Sequence, residues 1–418
     1  MAIGVAESTS LHTIISDGLI RAAYQPIVDL RDGSVVAYEA LARGPEGSPL
    51  EMPAQLFATA RREGLEFELD WAAREAALRG ALAAGLHPDC ALFVNVEPSS
   101  FSRPAPEGLA SVLRTAQDQL TLVTEITERD VTGAPATLLA RAAQLRDAGL
   151  RLAIDDVGVD ARSLALLPFV DPEIVKLDMS IVQTGDLGLT ARTATAVRAH
   201  AERSGALIVA EGIETEAHRE TALALGAHLG QGWLFGYPEP LPLEAGGPVS
   251  RPLRFAPRAN GRSAETPFEL LTGQQPPRRG PKDLLLRMSR ALEEMAAAEG
   301  EASVVVSTFQ EASFFTPATR RRYRRLAQQA ALVGAIGVGL EETPEPGVRG
   351  ASLWRSEPLR GEWDVCVVGP YFAGAFAARD LGDADCDDSK RRFDFVMTHD
   401  RDLVVAATRA LIARIAPA

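Results

Sequence analysis

Cysteine is scarce in this sequence. The 418 residues contain three cysteines, Cys90, Cys366 and Cys386, with neither a CxxC pair nor the Cys/His spacing of a metal site. A reducing compartment would keep all three as thiols. We therefore expect ordinary buried or surface residues rather than a cysteine-based metal centre.

Long hydrophobic runs are also absent. No apolar stretch approaches the ~20 residues that a membrane-spanning helix needs. The first residues, "MAIGVAESTSLHTIISDG", lack both the basic start and the long apolar centre of a secretory signal. These absences predict a cytoplasmic protein that has no membrane partner.

Positive charge is in short supply. The chain has 43 lysines and arginines against 56 acidic residues, which leaves a formal net charge of −13. Affinity for duplex nucleic acid comes mainly from neutralised phosphates, so we expect no nucleic-acid partner. A small anionic ligand remains possible where cations gather locally.

The length and the hydrophobic pattern predict two domains. A chain of 418 residues is longer than one hydrophobic core usually organises. Between about residues 22 and 240, strand-like runs such as "ALFVNV" and "LIVAEGI" alternate with amphipathic helical runs such as "PAQLFATARREG". This alternation predicts parallel strands joined by helices, and we assign residues 10–245 to a TIM-like (β/α)8 barrel.

An open doubly wound sheet is the structural alternative to the barrel. Such a sheet usually carries a GxGxxG turn after its first strand and gathers its polar residues at one switch point. The sequence has no such turn, and polar residues follow many of the predicted strands. The barrel is therefore favoured.

The composition changes after the predicted barrel. Residues 246–281 are rich in proline, glycine and arginine, and we predict a linker there. Residues 282–418 contain further helical and strand-like runs, which predict a smaller α/β domain. Because of the linker's composition, we expect few packed contacts between the two domains.

Polar residues stand where the strands of the predicted barrel end. In a barrel these ends meet at one face, where the chemistry of such folds is carried out. The residues are Glu39, Asn95, Glu125, Asp155, Asp156, Lys176, Asp178, Glu211 and Gln231. One such carboxylate would more often be a helix cap, but the recurrence of the placement argues for a site.

Several carboxylates in one barrel mouth need protonation or a cation to offset their repulsion. Oxygen ligands without histidine or cysteine suit Mg²⁺ or Mn²⁺ rather than zinc. The composition of the cluster therefore predicts metal-assisted hydrolysis of a phosphoester. A nearby lysine can orient the attacking water or stabilise developing charge.

The motifs of this segment resemble those of a known family. "YEALAR" at 38–43 is accompanied by "YQPIVDL", "NVEP", "TEITE", "IDDVG", "VKLD", "AEGIET" and "GQGWLFGYPEP". Together they resemble the EAL-domain phosphodiesterases, which cut one bond of the bacterial messenger cyclic di-GMP to give linear pGpG. The resemblance covers essentially the whole predicted barrel.

The resemblance implies a role for each matching residue. It implies that the metal ligands are Glu39, Asn95, Glu125, Asp155 and Asp156. Lys176 and Asp178 match the positions that handle the catalytic water, and Glu211 matches a general base or support of a second metal. Gln25, Arg43 and Gln231 match substrate contacts, and Glu128 and Glu214 match carboxylates that steady the active-site loop.

The resemblance also implies conditions for activity. It implies hydrolysis supported by Mg²⁺ or Mn²⁺, inhibition by Ca²⁺, and a homodimer formed through the EAL domain. We accordingly expect cyclic di-GMP to be the nucleotide partner.

One loop departs from the family pattern. After the paired aspartates, family members usually read Phe-Gly-Thr-Gly, whereas this chain reads Val157-Gly158-Val159-Asp160. If position 160 requires a positive φ, an aspartate adopts it only at some energetic cost. The missing threonine hydroxyl would also leave Glu128 without a partner. Slow, conditional or lost hydrolysis is therefore an open alternative, but the complete ligand set still favours a competent enzyme.

The second domain resembles the DICT domain, a sensory module found beside cyclic di-GMP enzymes. The resemblance rests on "TFQEASFFTPATRRRYRRLA", "PLRGEWDVCVVGPYFAGAFAARDLGD" and "RRFDFVMTHDRDLV". We interpret His399-Asp400 as a helix cap rather than an acid/base pair. We interpret the arginines between 320 and 325 as paired or solvated rather than phosphate-binding.

Three functions stay open at this point. The favoured one is a phosphodiesterase regulated by its second domain. The alternatives are a non-catalytic receptor that binds cyclic di-GMP through the same barrel, and a dimerisation scaffold without nucleotide. The intact ligand set favours the enzyme, whereas the altered loop favours the receptor.

Overall fold

A computed structural model describes residues 10–97, 106–127, 135–183, 186–242, 245, 247, 249–258, 265–382 and 391–415. The strands of the first domain are β1 (Arg21–Asp29), β2 (Val35–Arg43), β3 (Ala91–Asn95), β4 (Thr121–Thr127), β5 (Arg151–Val157), β6 (Ile174–Leu177), β7 (Leu207–Ala210) and β8 (Leu229–Gln231). Its helices are α1 (Leu11–Ser16), α2 (Pro53–Glu63), α3 (Glu66–Ala83), α4 (Glu107–Gln119), α5 (Pro135–Asp147), α6 (Leu167–Val170), α7 (Met179–Gln183), α8 (Leu187–Ser204) and α9 (Glu216–Ala224).

The eight strands close into a barrel, as predicted. One part of the prediction is wrong: β1 runs antiparallel to both of its neighbours, β2 and β8. Residues 30–34 are too short a connection for a parallel crossover, so the chain must turn back as a hairpin. This reversal places Gln25 of β1 opposite Glu39 of β2.

Residues 249–258 pack against the barrel instead of bridging open space. Val249, Leu253 and Phe255 lie against the apolar cluster of the barrel interior, and the guanidinium of Arg151, at the start of β5, lies 5.5 Å from the Phe255 ring centroid. The Arg258 side chain donates to the carbonyl oxygens of residues 171, 172 and 204. Residues 249–258 of the predicted linker 246–281 are therefore part of the barrel unit.

The second domain contains a seven-stranded sheet. Its strands are β9 (Arg278–Pro281), β10 (Val304–Glu311), β11 (Leu332–Val338), β12 (Val348–Ala351), β13 (Glu362–Val368), β14 (Ala373–Asp380) and β15 (Arg392–Thr398). Its helices are α10 (Pro267–Thr272), α11 (Lys282–Glu299), α12 (Pro317–Leu326) and α13 (Arg401–Ile412). The spatial order of the strands is β12-β11-β10-β13-β14-β15-β9. Because β9 pairs with β15, the boundary predicted at residue 282 is wrong, and the second domain begins earlier.

Each face of this sheet is covered by two helices. Neighbouring strand residues point to opposite faces, so Val305 packs in the cluster of α11 and α12, while Val304 and Val306 pack in the cluster of α10 and α13. Asp400 caps α13 by accepting hydrogen bonds from the backbone of Asp402 and Leu403, which confirms the predicted cap. The sheet therefore has one face toward α13 and one face away from it.

The two domains are packed together, so the expectation of few contacts is wrong. Helix α13 lies against α6, and the 3-10 turns Ala161–Ala165 and Gly300–Ala302 lie against each other. The Arg409 guanidinium donates to the carbonyl oxygen of Phe169 at 2.7 Å. Helix α13 buries residues on a wide part of its circumference, which the composition of a preceding linker cannot reveal. Across the described residues, no helix combines the length and hydropathy that a bilayer crossing requires.

Candidate active site

The barrel brings the strand-end residues together at its mouth. Glu39 lies on β2, Glu125 on β4, Asp155 on β5 and Lys176 on β6, while Glu211 follows β7 directly. The side chains meet because the ends of β2 to β8 face the same rim of the barrel. The structure therefore brings these predicted residues together at one rim of the barrel.

Lys176 lies at the centre of the cluster. Its side chain is fully buried, and Nζ lies 2.7 Å from Oε1 of both Glu125 and Glu211 and 3.1 Å from Glu39 Oε2 and Asp155 Oδ1. Burial by itself lowers the pKa of the ammonium, but the four carboxylates outweigh it and raise the pKa well above its usual range. Lys176 is therefore a permanently charged internal counter-ion.

Hydrogen bonds hold Glu39 in a single orientation. Its Oε2 accepts from Lys176 Nζ at 3.1 Å and from Gln231 Nε2 at 2.8 Å, and its Oε1 accepts from Asn95 Nδ2 at 3.0 Å. Gln231 Nε2 also donates to Gln25 Oε1 at 2.9 Å. Burial would raise the pKa of Glu39, but Lys176 and the two amide donors lower it below its usual value. Glu39 is therefore ionised.

The ionised forms of Glu125 and Glu211 are destabilised by burial and by repulsion from neighbouring carboxylates. Burial raises the pKa of Glu125 well above its usual range, and repulsion from Glu39 and Asp155 raises it further. Burial and repulsion from Asp155 do the same to the pKa of Glu211. One lysine therefore does not balance the charge of this cluster.

One oxygen of Glu125 marks where further positive charge fits. Glu125 Oε2 is buried without a hydrogen bond, whereas Lys176 Nζ lies 2.7 Å from Glu125 Oε1 and 3.1 Å from Asp155 Oδ1. Asp155, Asp156 and Glu211 each place an oxygen within 4.8 Å of the others. This all-oxygen donor set fits divalent cations such as Mg²⁺ or Mn²⁺.

A cavity of about 300 Å³ lies over the cluster. Glu39, Asp156, Asp178, Glu211 and Gln231 line its floor and walls. At this size it can hold part of a nucleotide-sized ligand next to the carboxylates. Asp178 accepts a hydrogen bond from the backbone of residue 180 at 2.8 Å, which fixes its carboxylate at the edge.

Trp233 lines the same cavity but was not identified from the sequence. Its side chain is 55% exposed, and its ring centroid lies 5.4 Å from that of Tyr237. The motif "GQGWLFGYPEP" contains both rings. Their closeness to Gln231 in the sequence could have identified Trp233 as a site residue. An exposed ring at this position can stack on a base.

Two of the predicted site residues that the structure describes, Arg43 and Glu214, stand apart from the cluster. Arg43 ends β2, is half-buried and donates to the carbonyl oxygen of Ala42 at 2.9 Å, outside the residues that line the cavity. Glu214 is exposed and lines the cavity's outer edge. Glu128 lies outside the described residues.

The loop Val157-Gly158-Val159-Asp160 has a different backbone conformation from the one that the sequence predicts. Asp160 has a φ of −122°, an extended conformation without strain, so the expected cost of a missing glycine is wrong. Its carboxylate caps the turn Ala161–Ala165 by accepting from Arg162 N at 3.0 Å, and it pairs with the Arg162 guanidinium. The positive φ values lie at Asp156 and Gly158 instead.

Comparisons with known proteins place the barrel in a family. The family model described as "EAL domain" matches residues 9–238, and the one described as "Sensory domain in DIguanylate Cyclases and Two-component system" matches residues 268–381. The first match spans more than half of the chain.

Two curated relatives illustrate the similarity. "Probable cyclic di-GMP phosphodiesterase PdeB" of Escherichia coli is 32% identical over 53% of this chain and 42% of its own length. "Cyclic di-GMP phosphodiesterase RocR" of Pseudomonas aeruginosa is 32% identical over 57% of this chain and 63% of its own length. The chain thus spans less than two thirds of either relative.

Among solved structures, a Klebsiella pneumoniae BlrP1 complex with manganese and cyclic di-GMP is 30% identical, with a TM-score of 0.47. The alignment covers 53% of this chain and 56% of that one.

Proposed function

The chain belongs to the EAL domain family, and from that premise we propose that its barrel hydrolyses cyclic di-GMP to linear pGpG with Mg²⁺ or Mn²⁺. The observation that carries the proposal is the cluster of Glu39, Glu125, Asp155 and Glu211 around the buried Lys176. The printed names of PdeB and RocR support the same substrate.

The residues present fit a metal-assisted reaction. Glu39, Asn95, Glu125 and Asp155 would hold one cation, and Asp156 would contribute to a second. Such cations, when bound, polarise a phosphoryl oxygen and lower the pKa of a bound water. The buried Glu125 Oε2, which has no hydrogen bond, supports this assignment, and so do the oxygens of Asp155, Asp156 and Glu211, which lie within 4.8 Å of one another.

The protein's own groups would divide the remaining work. Glu211 lines the cavity and is the candidate to accept the proton of the attacking water, since burial and repulsion raise the pKa of its carboxyl. Lys176 would balance the negative charge that develops on the phosphoryl oxygens. Asp178 would orient the water from the cavity edge.

Substrate contacts would come from the wall on the β1 and β8 side. Gln25 and Gln231 are joined by a hydrogen bond of 2.9 Å and can present their amides as one unit. Trp233 would stack on a guanine base. Arg43 and Glu214 remain candidates for an outer contact and for loop support, and a homodimer through this domain remains part of the proposal.

Regulation by the second domain is the final part of the proposal. Helix α13 contacts α6, which follows the turn Ala161–Ala165, and this turn follows Asp155 and Asp156 along the chain. A shift of α13 would therefore act on the segment that leads from the metal-binding aspartates. The match to a sensory family model supports this role.

The deciding experiment uses the full chain. Purified protein is incubated with cyclic di-GMP and Mn²⁺, Mg²⁺ or EDTA, and the products are separated by chromatography. Production of pGpG with either metal, its absence in EDTA and its loss in Glu211→Gln support the enzyme. Tight binding without any product would favour the receptor, and the absence of binding with every cation would favour the scaffold.

A further inference from the structure

The second domain contains a cavity of its own, on the sheet face turned away from α13. It lies between α11, α12 and the strands β10, β13 and β15, and its volume is about 290 Å³. This volume is close to the lower end of small-molecule sites, about 300 Å³. Thr308, Tyr323 and Phe393 form a buried floor, while Arg290 and Phe314 stand at the exposed rim.

Two pairs of edge-packed aromatic rings line this cavity. Phe309 of β10 packs against Tyr323 of α12, with ring centroids 5.3 Å apart. Trp363 of β13 packs against Phe393 of β15, with centroids 5.7 Å apart. Because β10 and β13 are neighbouring strands, Phe309 and Trp363 stand on the same face of the sheet. A lining rich in rings favours a ligand with a planar ring, which can pack against them face-on or edge-on.

The charged groups around the cavity are mostly cationic. Among the described residues that line it, Lys282, Arg290, Arg322 and Arg391 carry positive charge, and Glu293 is the acid. Arginine and lysine side chains at a partly desolvated rim attract carboxylate or sulfonate groups. The balance therefore favours an anion over a cation.

The buried acid does not reverse this balance. Glu293 is engaged by the Arg322 guanidinium and accepts a hydrogen bond from the Tyr323 hydroxyl at 3.0 Å. The same hydroxyl hydrogen-bonds Ser307 Oγ at 2.6 Å. Burial raises the pKa of Glu293, so its ionised form depends on Arg322. This pair is neutral overall, and Arg391 is likewise matched by Asp380.

One strained residue stands at the same cavity. Gln310 has a φ of 55°, which is uncommon for a residue other than glycine, and it follows the point where the register between β10 and β11 shifts. Strained conformations cluster at ligand sites because the surrounding structure must hold them. The strain therefore marks the cavity independently of its charge.

We propose that this cavity binds a small organic anion that carries a planar ring, with the ring against Phe309 and Trp363 and the anionic group at Lys282 and Arg290. This site goes beyond the proposed activity of the barrel, because it gives the second domain a ligand class of its own. Its presence can be tested without measuring turnover.

The test measures binding to the full chain by isothermal titration calorimetry. The probes are benzoate, indole-3-acetate and 2-naphthoate, with tryptamine as a cation of the same ring type and cyclohexylacetate as an anion without a planar ring. We expect at least one ring anion to bind about tenfold more tightly than tryptamine and cyclohexylacetate. The proposal is overturned if none of the three ring anions does so.

Variants locate the binding in the cavity. Lys282→Gln with Arg290→Gln should weaken the preferred probe about tenfold, whereas Arg287→Gln, an exposed arginine on the same helix outside the cavity lining, should leave it unchanged. An equal loss in both would show nonspecific attraction and overturn the site. Glu39→Ala should bind the probe like the unmodified chain, which separates this proposal from the barrel's activity.

Discussion

Lys176 Nζ lies 2.7 Å from Oε1 of Glu125, and both side chains are buried at the centre of the barrel mouth. This contact is the core of an arrangement in which one ammonium faces four carboxylates. The protein thus keeps a strongly acidic site folded by means of one internal cation. Further positive charge is what the remaining carboxylate oxygens can accept.

Removal of this counter-ion should make folding depend on metal. Lys176→Met leaves buried carboxylates uncompensated, and breaking a buried ion pair in this way costs about 3–5 kcal/mol. We expect a large drop in melting temperature in EDTA that Mn²⁺ largely restores, measured by calorimetry. Arg79→Met breaks the exposed pair with Glu75 and should cost less than about 1 kcal/mol with no metal dependence. Equal behaviour of the two variants would contradict the counter-ion role.

Loss of Glu39 should remove activity but not the fold. Glu39→Ala deletes a candidate metal ligand that packs no apolar core, and we expect turnover of cyclic di-GMP to fall more than about 100-fold. The far-ultraviolet circular dichroism spectrum should be unchanged. Glu75→Ala, on the exposed surface of α3, serves as the control. Unchanged turnover in Glu39→Ala would rule out the site assignment.

Calcium should separate binding from turnover. Ca²⁺ accepts oxygen ligands but prefers longer distances and higher coordination numbers than Mg²⁺ or Mn²⁺. We expect cyclic di-GMP to bind in Ca²⁺ while pGpG formation stops, as measured by calorimetry and by chromatography of the products. Full activity in Ca²⁺ would show that the geometry of the cation is not limiting.

The capped loop should resist a change toward the usual family sequence. Asp160 is unstrained and caps its turn, so Val159→Thr with Asp160→Gly should leave turnover equal or lower. Asp160→Ala removes a cap worth about 1 kcal/mol and should lower turnover up to about fivefold. Steady-state kinetics distinguish these outcomes. A severalfold gain in the double variant would mean that the family sequence is better suited to this barrel.

A buried histidine should make stability depend on pH. Burial, with the nearby Arg258, Arg203 and Arg401, lowers the pKa of His200 to about 3. Between pH 3 and 6.5 the unfolded chain therefore binds the extra proton, so stability is complete above pH 6.5 and decreases as the pH falls. From pH 6.5 to 5 this histidine should account for a loss of about 2 kcal/mol.

The measurement for His200 is the free energy of unfolding in urea at both pH values. His200→Gln should flatten the dependence on pH relative to the unmodified chain. His12→Gln, which changes an exposed histidine, should preserve it. Parallel pH profiles of all three proteins would exclude His200 as the source.

The sequence by itself determined the barrel and which side chains lie at its mouth. Alternating strand and helix periodicities are local properties, and any closed barrel of this type brings its strand ends to one rim. Glu39, Glu125, Asp155 and Lys176 could therefore be assigned to one site before their distances were known. The predicted pairing of the arginines in α12 is confirmed, because Arg320 and Arg324 both contact Glu345, but the identity of this partner comes from the tertiary structure.

Only the tertiary structure decided the relations between distant segments. The reversal of β1, the packing of residues 249–258 on the barrel and the docking of α13 on α6 depend on which surfaces meet. The second cavity arises where α11 and α12 meet β10, β13 and β15, and these elements extend from residue 282 to residue 398 of the chain. A local sequence pattern shows that one face of a helix or sheet is apolar. Which other element packs against that face depends on complementary shape and charge across the whole molecule.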